Sequence, residues 1–322
     1  MSTPKSITNK IHKMIKNPFY FFCYATRKGF INFLPDKACL SLVYRGAYGR
    51  KLNLDNPTRY SEKLQWIKLY DRCPLYSKLV DKYEVKSYVS ERIGEEYIIP
   101  TLGVWNAFDD ISFENLPEQF VLKCTHDSGG LVICTDKKQL NIDNARTKIN
   151  KSLKTNYYKL FREWPYKNVT PRIVAEKFMV DNATGELRDY KFYCFDGVVR
   201  ALGIYSDRGA GKTTKADYFD RDFNWLDLKW GYEHAIERPE KPSLYDKMIE
   251  IAESLSQGFP EVRVDLYLCN NRIYFGELTF FDGGGFDGFE PDSWDEVFGS
   301  WIALKNRSIK ETELHGTYNN RS

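Results

Sequence analysis

Apolar and polar positions change period several times along the chain. Asn56-Pro57-Thr58 reads as a turn, and after it Leu64, Ile67 and Tyr70 recur at the spacing of one helix face. A second helix is predicted from Asp81. Asp81 with Glu84 three residues on has the form of a capping box, Val85, Tyr88, Val89 and Ile93 follow at helical spacing, and Gly94 is a stop signal. The period then shortens to two. Ile98–Ile99, Phe120–Cys124 and Leu131–Cys134 read as short strands, and Asp143 to Leu153 reads as a helix. Arg172–Met179, Leu187–Phe195 and Val198–Tyr205 read as three more strands, the last two joined by a tight turn at Asp196-Gly197. Ser243 to Ser256 is predicted helical, with Ser243 and Asp246 as its cap. Val262–Leu268 and Arg272–Leu278 form another hairpin, followed by a Gly-rich loop, Asp282 to Gly288, and a last helix carrying Trp294, Phe298 and Trp301. Hairpins mixed with helices indicate an α+β fold rather than a run of βαβ units.

A chain of 322 residues allows two modest domains or one large one, and 42% hydrophobic residues suffice for a packed core. Charge is unevenly placed. Residues 1–51 hold ten basic residues against the single acid Asp36, while the rest holds 37 basic and 43 acidic residues. Such an arm attracts anionic lipid, nucleic acid or an acidic polymer; the alternative is an arm packed on the body by its aromatics. The apolar run Phe19 to Ala25 is too short for a bilayer, which takes ~20 residues, and lacks the features of a signal peptide, leaving a place on a membrane surface open. Seven cysteines without a CxxC, and four scattered histidines, argue against a disulfide scaffold and a zinc site and fit a reducing cytoplasm.

Candidate chemistry is concentrated in three stretches. If the strands around Asn270–Arg272 pair across a three-residue loop, Asp265 lies opposite Glu277 and Arg263 opposite Thr279, all on one face. Opposed carboxylates repel, and a cation between them relieves the repulsion; an oxygen pair suits Mg²⁺. The alternative is the polar face of an edge hairpin. In Phe120 to Gly130 a strand delivers Lys123, and the loop Ser128-Gly129-Gly130 lets backbone N–H groups approach phosphate oxygens; an ordinary turn is the alternative. In the third stretch, Glu176 with the backbone of Lys177, Phe178 and Met179 would meet an adenine edge, Asp189 the ribose and Lys191 a phosphate; two strands with a solvated face are the alternative.

In this order the stretches resemble the ATP-grasp superfamily, and more closely its TupA-like branch from bacterial surface-polysaccharide gene clusters, over Asn56 to Lys305. The resemblance implies an ATP-grasp fold, two α+β lobes gripping ATP, with a basic helical N-terminal extension in place of the usual Rossmann-like subdomain. It divides the chain into the extension (1–55), a part with the first lobe (56–170), the second lobe (171–310) and a tail (311–322). It implies that Lys82, Lys123 and Lys191 hold the triphosphate, Glu176, Lys177 and Phe178 the adenine, and Asp189 the ribose. Arg263 is then the oxyanion residue, and Asp265 and Glu277 carry Mg²⁺. Many members have Asn where this chain has Thr279 as the third candidate ligand. The activity implied is a cytoplasmic ligase that joins a carboxylate, such as a uronic acid of a glycan, to an amine through an acylphosphate, at or near the inner membrane face and without nucleic acid.

Two further motifs bear on this reading. Gly209-Ala-Gly211-Lys212-Thr213-Thr214 looks like a P-loop, but Ser206 stands where its first glycine belongs and Ala216–Asp220 reads as strand or loop. A loop near the phosphates, with Arg208, Lys212 or Lys215 reaching them, is the reading kept. Asp220-Arg221-Asp222 is a DxD that would serve a sugar-nucleotide glycosyltransferase, the alternative function, but reads as a turn. His126 is expected to hydrogen-bond within its loop.

Overall fold

The computed structural model describes residues 17–182, 185, 187–207 and 213–304. The first sixteen residues of the basic arm, Arg208 and Lys212, Lys305 and the tail from 311 lie outside the described residues.

The extension is helical. α1 (Tyr20–Arg27) buries Ala25 and Thr26 against α2 (Asp36–Tyr48), whose Cys39, Leu40, Val43 and Tyr44 are also buried. α2 stops at Gly49, whose φ of 70° suits a residue without a Cβ. In α3 (Tyr60–Tyr70) Leu64 and Ile67 are buried as their spacing predicts, whereas Tyr70 is exposed. The Glu62 carboxylate accepts the Thr58 and Arg59 N–H groups and so caps the helix start.

After α4 (Leu75–Val80) comes α5 (Val85–Ile93), which begins four residues later than Asp81 predicted. The Asp81 carboxylate accepts the N–H groups of Tyr83 and Glu84 in a turn, and Glu84 turns to Arg172 instead of closing a capping box. The strand expected at Ile98–Ile99 is displaced to β1 (Thr101–Trp105), with Ile98 making only an isolated bridge to Phe275. Pro100 has no N–H for a ladder, so the strand starts after it.

β2 (Phe120–Cys124) and β3 (Leu131–Cys134) have the predicted bounds. α6 (Ile142–Leu153) and α7 (Tyr158–Phe161) follow, then β4 (Ile173–Lys177). The four strands form an antiparallel sheet in the order β1-β4-β2-β3, so this small lobe draws a strand from beyond residue 170. Its core, with Phe120, Leu122, Ile149 and Ile173, is separate from that of the rest.

The larger sheet is built from β5 (Asp189–Phe195), β6 (Val198–Ser206), β7 (Lys215–Asp220) and β8 (Trp225–Leu226), then, past β9 (Lys229–Trp230) and α8 (Tyr245–Ser256), β10 (Val262–Cys269) and β11 (Arg272–Thr279). Its order is β11-β10-β5-β6-β7-β8, antiparallel throughout, and β12 (Phe289–Glu290) pairs separately with β9 before α9 (Ser293–Trp301). α2, α3, α8 and α9 contribute to the core of this sheet. The cap expected for α8 is not formed: Ser243 bonds Asn271, and Leu244 precedes the helix without a side-chain bond. Asp220-Arg221-Asp222 is a turn, with the Asp220 carboxylate taking the N–H groups of Asp222 and Asn224. Asp196 and Gly197 both take positive φ at the predicted hairpin.

Candidate active site

The β10–β11 hairpin corrects one expectation and meets another. Its loop has two residues, Asn270 and Asn271, both at positive φ, rather than three. A two-residue loop would set Asp265 off register with Glu277, but the register shifts between Asp265 and Leu266, leaving Gly276 as the extra residue of a bulge. Beyond the bulge Asp265 faces Glu277 and Arg263 faces Thr279. On the other side Asp265 pairs with Lys191 of β5, so three strands carry one polar face.

That face is closely bonded. The Arg263 guanidinium grips Asp265 through Nε to Oδ1 at 2.6 Å and Nη2 to Oδ2 at 2.8 Å, and also meets Glu277 at 3.2 Å and Asp282 at 2.5 Å. Lys191 donates to Asp265 as well and stands 3.6 Å from Asp189. Burial works to raise the Asp265 carboxyl, but Arg263 and Lys191 outweigh it and hold it below the usual carboxylate range. Thr279 donates to Glu277 at 3.2 Å, and Tyr193 to Asp282 at 2.9 Å.

The facing wall belongs to the small lobe. Lys82, in the turn after Asp81, donates to the Asp127 carbonyl, and the Asp127 carboxylate accepts the Gly130 N–H and the Ser152 hydroxyl. A Cβ on Gly130 would collide with Ser152 Oγ and Cys124 Sγ, so close packing dictates this glycine. Ser128 pairs with Tyr157 at 3.1 Å, and His126 bonds the Thr155 carbonyl at 3.2 Å, the loop role expected of it.

Between the walls lies a cavity of about 430 Å³. Of the residues singled out in the sequence, Lys82, Ser128, Lys191, Arg263, Glu277 and Thr279 line it, while Asp265 and Asp189 are buried beside Lys191. The adenine set is placed elsewhere. Glu176 is held between Lys86 and Lys123, each at 2.6 Å, Lys177 is exposed at the end of β4 and Phe178 half-buried after it. Lys123 is thus tied to Glu176, and neither it nor Gly129 and Gly130 line the cavity. The two lysines outweigh burial and keep the Glu176 carboxyl low. Thr214 reaches the cavity; Lys215 is taken up in β7, paired with Ser206.

Several cavity residues carried no usable signal in the sequence. Asp282 opens the Gly-rich loop, whose Gly283, Gly284 and Gly285 all take positive φ. Arg27 enters from α1. Glu163 is buried, yet no hydrogen bond to its carboxylate is found among the described residues; burial pushes it up to about 7, with Lys68 acting against the rise. Lys86, outside the cavity lining, is a partner of Glu176 that the sequence pattern does not single out.

The fit to a nucleotide with Mg²⁺ follows from the donors. Four cations (Arg27, Lys82, Lys191 and Arg263) converge on one cavity. Asp265 is sealed by Arg263 and Lys191, whereas the Glu277 side chain is 38% exposed. Among the described residues no group of three or more His, Cys, Asp or Glu could hold a metal ion. With Asp265 taken up, Glu277 is the predicted carboxylate left open, which suits an ion that keeps phosphate oxygens and waters as its other ligands, the habit of Mg²⁺.

Two mixed lobes with such a cavity between their sheets constitute an ATP-grasp fold. The chain belongs to the TupA-like ATP-grasp family, whose model matches residues 62–303. No curated protein matches the chain. Among solved structures, D-alanine–D-alanine ligase from Bacillus anthracis complexed with ATP is 16% identical, with a TM-score of 0.37 over 68% of this chain and 55% of that one. The Helicobacter pylori D-alanine–D-alanine ligase is 14% identical, with a TM-score of 0.39 over 77% of this chain and 70% of that one. The ligase PsnB complexed with minimal precursor, Mg and ADP is 12% identical, with a TM-score of 0.35 over 81% and 68%. The chain spans 55% and 59% of the two Bacillus anthracis structures.

Proposed function

We propose that the protein is a Mg-ATP-dependent carboxylate–amine ligase. The observation that carries this reading is the single cavity walled by Lys82 and Ser128 on one side and by Lys191, Arg263, Glu277 and Thr279 on the other. In this reading Lys82 and Lys191 neutralise the triphosphate, and Ser128, the member of its loop that lines the cavity, contacts it. A carboxylate oxygen of the acceptor attacks the γ-phosphorus, and the bond to the ADP oxygen breaks to leave an acylphosphate. The amine nitrogen then attacks the acyl carbon, phosphate departs, and the nitrogen's proton passes to Glu163. Arg263 stabilises the oxyanion formed at that carbon. Glu277, with Asp265 behind it, would hold Mg²⁺, which when bound would supply charge neutralisation at the phosphates.

The family likeness supports a uronic acid or other sugar-borne carboxylate of a surface polysaccharide as acceptor, an amino acid or another amine as nucleophile, and the cytoplasm as the place of reaction. The glycosyltransferase alternative has no observation in its favour: its DxD forms a turn and is not among the cavity's residues.

The test is calorimetry with Mg-ATP on the wild type and on Glu277→Ala. Micromolar binding that requires Mg²⁺ and is lost in the variant is expected. Absence of ATP binding overturns the reading, and binding of a sugar nucleotide in its stead would establish the transferase.

A further inference from the structure

The N-terminal extension presents an aromatic face that the rest of the fold leaves uncovered. Phe21, Tyr24, Phe30 and Phe33 are 45%, 38%, 62% and 80% exposed. Four large apolar side chains thus stand in solvent within thirteen residues. Scattered single exposures need no explanation, but a contiguous group does. Three of these residues are neighbours: the Tyr24 and Phe30 rings are 6.5 Å apart, Lys28 lies over Tyr24 at 5.8 Å, and Phe21 sits one turn before Tyr24 on α1; Phe33 follows Phe30 by three residues in the turn after the helix.

The exposure is built rather than frayed. The opposite side of α1 is anchored by buried Ala25 and by Thr26, whose hydroxyl donates to the Leu160 carbonyl at 2.7 Å. The turn after it is pinned from beneath by Arg162, a buried guanidinium that donates to the carbonyls of Ile31, Asn32 and Leu34 at 3.1–3.3 Å. Phe30 N–H closes the helix end on Ala25 at 2.9 Å. The backbone beneath Phe30 and Phe33 is therefore held on several bonds while their rings face outward.

The segment that bears this face carries charge of one sign before Asp36. No acid occurs before Asp36, while Arg27 and Lys28 flank the aromatics and Lys5, Lys10, Lys13 and Lys16 precede them in the sequence. Asp36 itself is bonded to Arg72 and Tyr158. Aromatic rings beside the exposed Lys28 match the interfacial zone of an anionic bilayer, where rings enter the headgroup region and a cation meets the lipid phosphates. No helix among the described residues is long and apolar enough to cross a membrane, so the contact is a surface one.

We propose that Phe21, Tyr24, Phe30 and Phe33, with Lys28, form a docking surface for an anionic membrane. Arg27, on the same helix, lines the cavity, so docking sets the cavity near the bilayer surface. The proposal stands whether or not the catalytic reading holds, because it concerns lipid alone.

The test is flotation of the full chain with vesicles of phosphatidylglycerol and phosphatidylcholine, against phosphatidylcholine alone. The wild type is expected to float with the anionic vesicles only, and less so at high salt. Phe30→Ser/Phe33→Ser and, separately, Lys28→Glu should each cut the bound fraction by roughly tenfold. These side chains are exposed, so unchanged thermal melting accompanies the loss. As an independent reading, a Phe33→Trp variant should show a blue-shifted indole emission on anionic vesicles. A wild type left at the bottom of the gradient, serine and glutamate variants that float like the wild type, or an indole emission that vesicles leave unshifted would each overturn the proposal, as would self-association through this face in place of lipid binding.

Discussion

Asp265 is a carboxylate that has no water to fall back on. Arg263 and Lys191 bind both its oxygens in a buried setting. A buried pair that loses one member leaves an uncompensated charge, so Asp265→Asn should cost about 3–5 kcal/mol, read by urea denaturation. The pH dependence has a definite sign. The folded carboxyl lies below its unfolded value, so its contribution is full above the unfolded value and disappears only as pH falls through the lower folded one. The wild type should lose this stability in acid, and Asp265→Asn should lack that part of the slope. Glu163 behaves oppositely, because burial raises it to about 7. Its carboxyl should be protonated below that pH and ionised above it. An infrared band of a protonated carboxyl that fades as pH rises through about 7, and is missing in Glu163→Gln, would identify it. A band that persists unchanged in the variant would assign it to another group.

The β10–β11 hairpin shows what a sequence discloses at the scale of an element. Period-two alternation marked both strands, and the opposed Arg263, Asp265, Glu277 and Thr279 could be paired on paper. The loop is one residue shorter than the pairing on paper requires, and the bulge at Gly276 restores the register with one extra residue. Bulges depend on how a strand meets its neighbours, which alternation does not encode. A side chain at Gly276 would meet the Asp265 carbonyl and the Tyr267 ring, both at 3.0 Å. Gly276→Val should therefore destabilise by about 1–3 kcal/mol and weaken Mg-ATP binding by moving Glu277, measured by thermal melting and calorimetry. β2 and β3 were legible because each is a short run of apolar, β-favouring residues bounded by polar or glycine-rich stretches. β1 was not, because Gly103 breaks its pattern and Leu102 is exposed. Lys68 and Gln65 in α3 are polar yet fully buried, Lys68 donating to the Phe161 and Gly284 carbonyls; only the tertiary packing explains them. Glu163 is likewise not legible, since nothing in its sequence neighbours marks a carboxylate that lines the cavity.

Across the whole molecule the basic arm proves to be two things. Its outer face is aromatic and charged, but its inner face is core. Leu40 and Tyr44 of α2 belong to the same apolar cluster as Leu64, Phe192 and Phe298. Polar bonds reinforce the seam: Tyr44 pairs with Ser61 at 3.0 Å, Ser61 donates to Asp295 at 2.7 Å, and Arg50 reaches Asp295 at 2.8 Å. Tyr48 donates to the carbonyls of Gly285 and Asp287 and so ties α2 to the Gly-rich loop of the cavity. Each large apolar side chain buried this way is worth about 1.5–3 kcal/mol, so Leu40 and Tyr44 together contribute about 3–6 kcal/mol against the roughly 5–15 kcal/mol by which a domain is stable. Removal of residues 1–51 should therefore abolish cooperative thermal unfolding of the remainder, followed by circular dichroism, and yield aggregated protein on expression. The exposed substitutions at Phe30 and Phe33 should leave that transition intact, since they touch only the outer face. A truncated chain that melts cooperatively near the wild-type temperature would mean that α2 covers the core without being needed to close it.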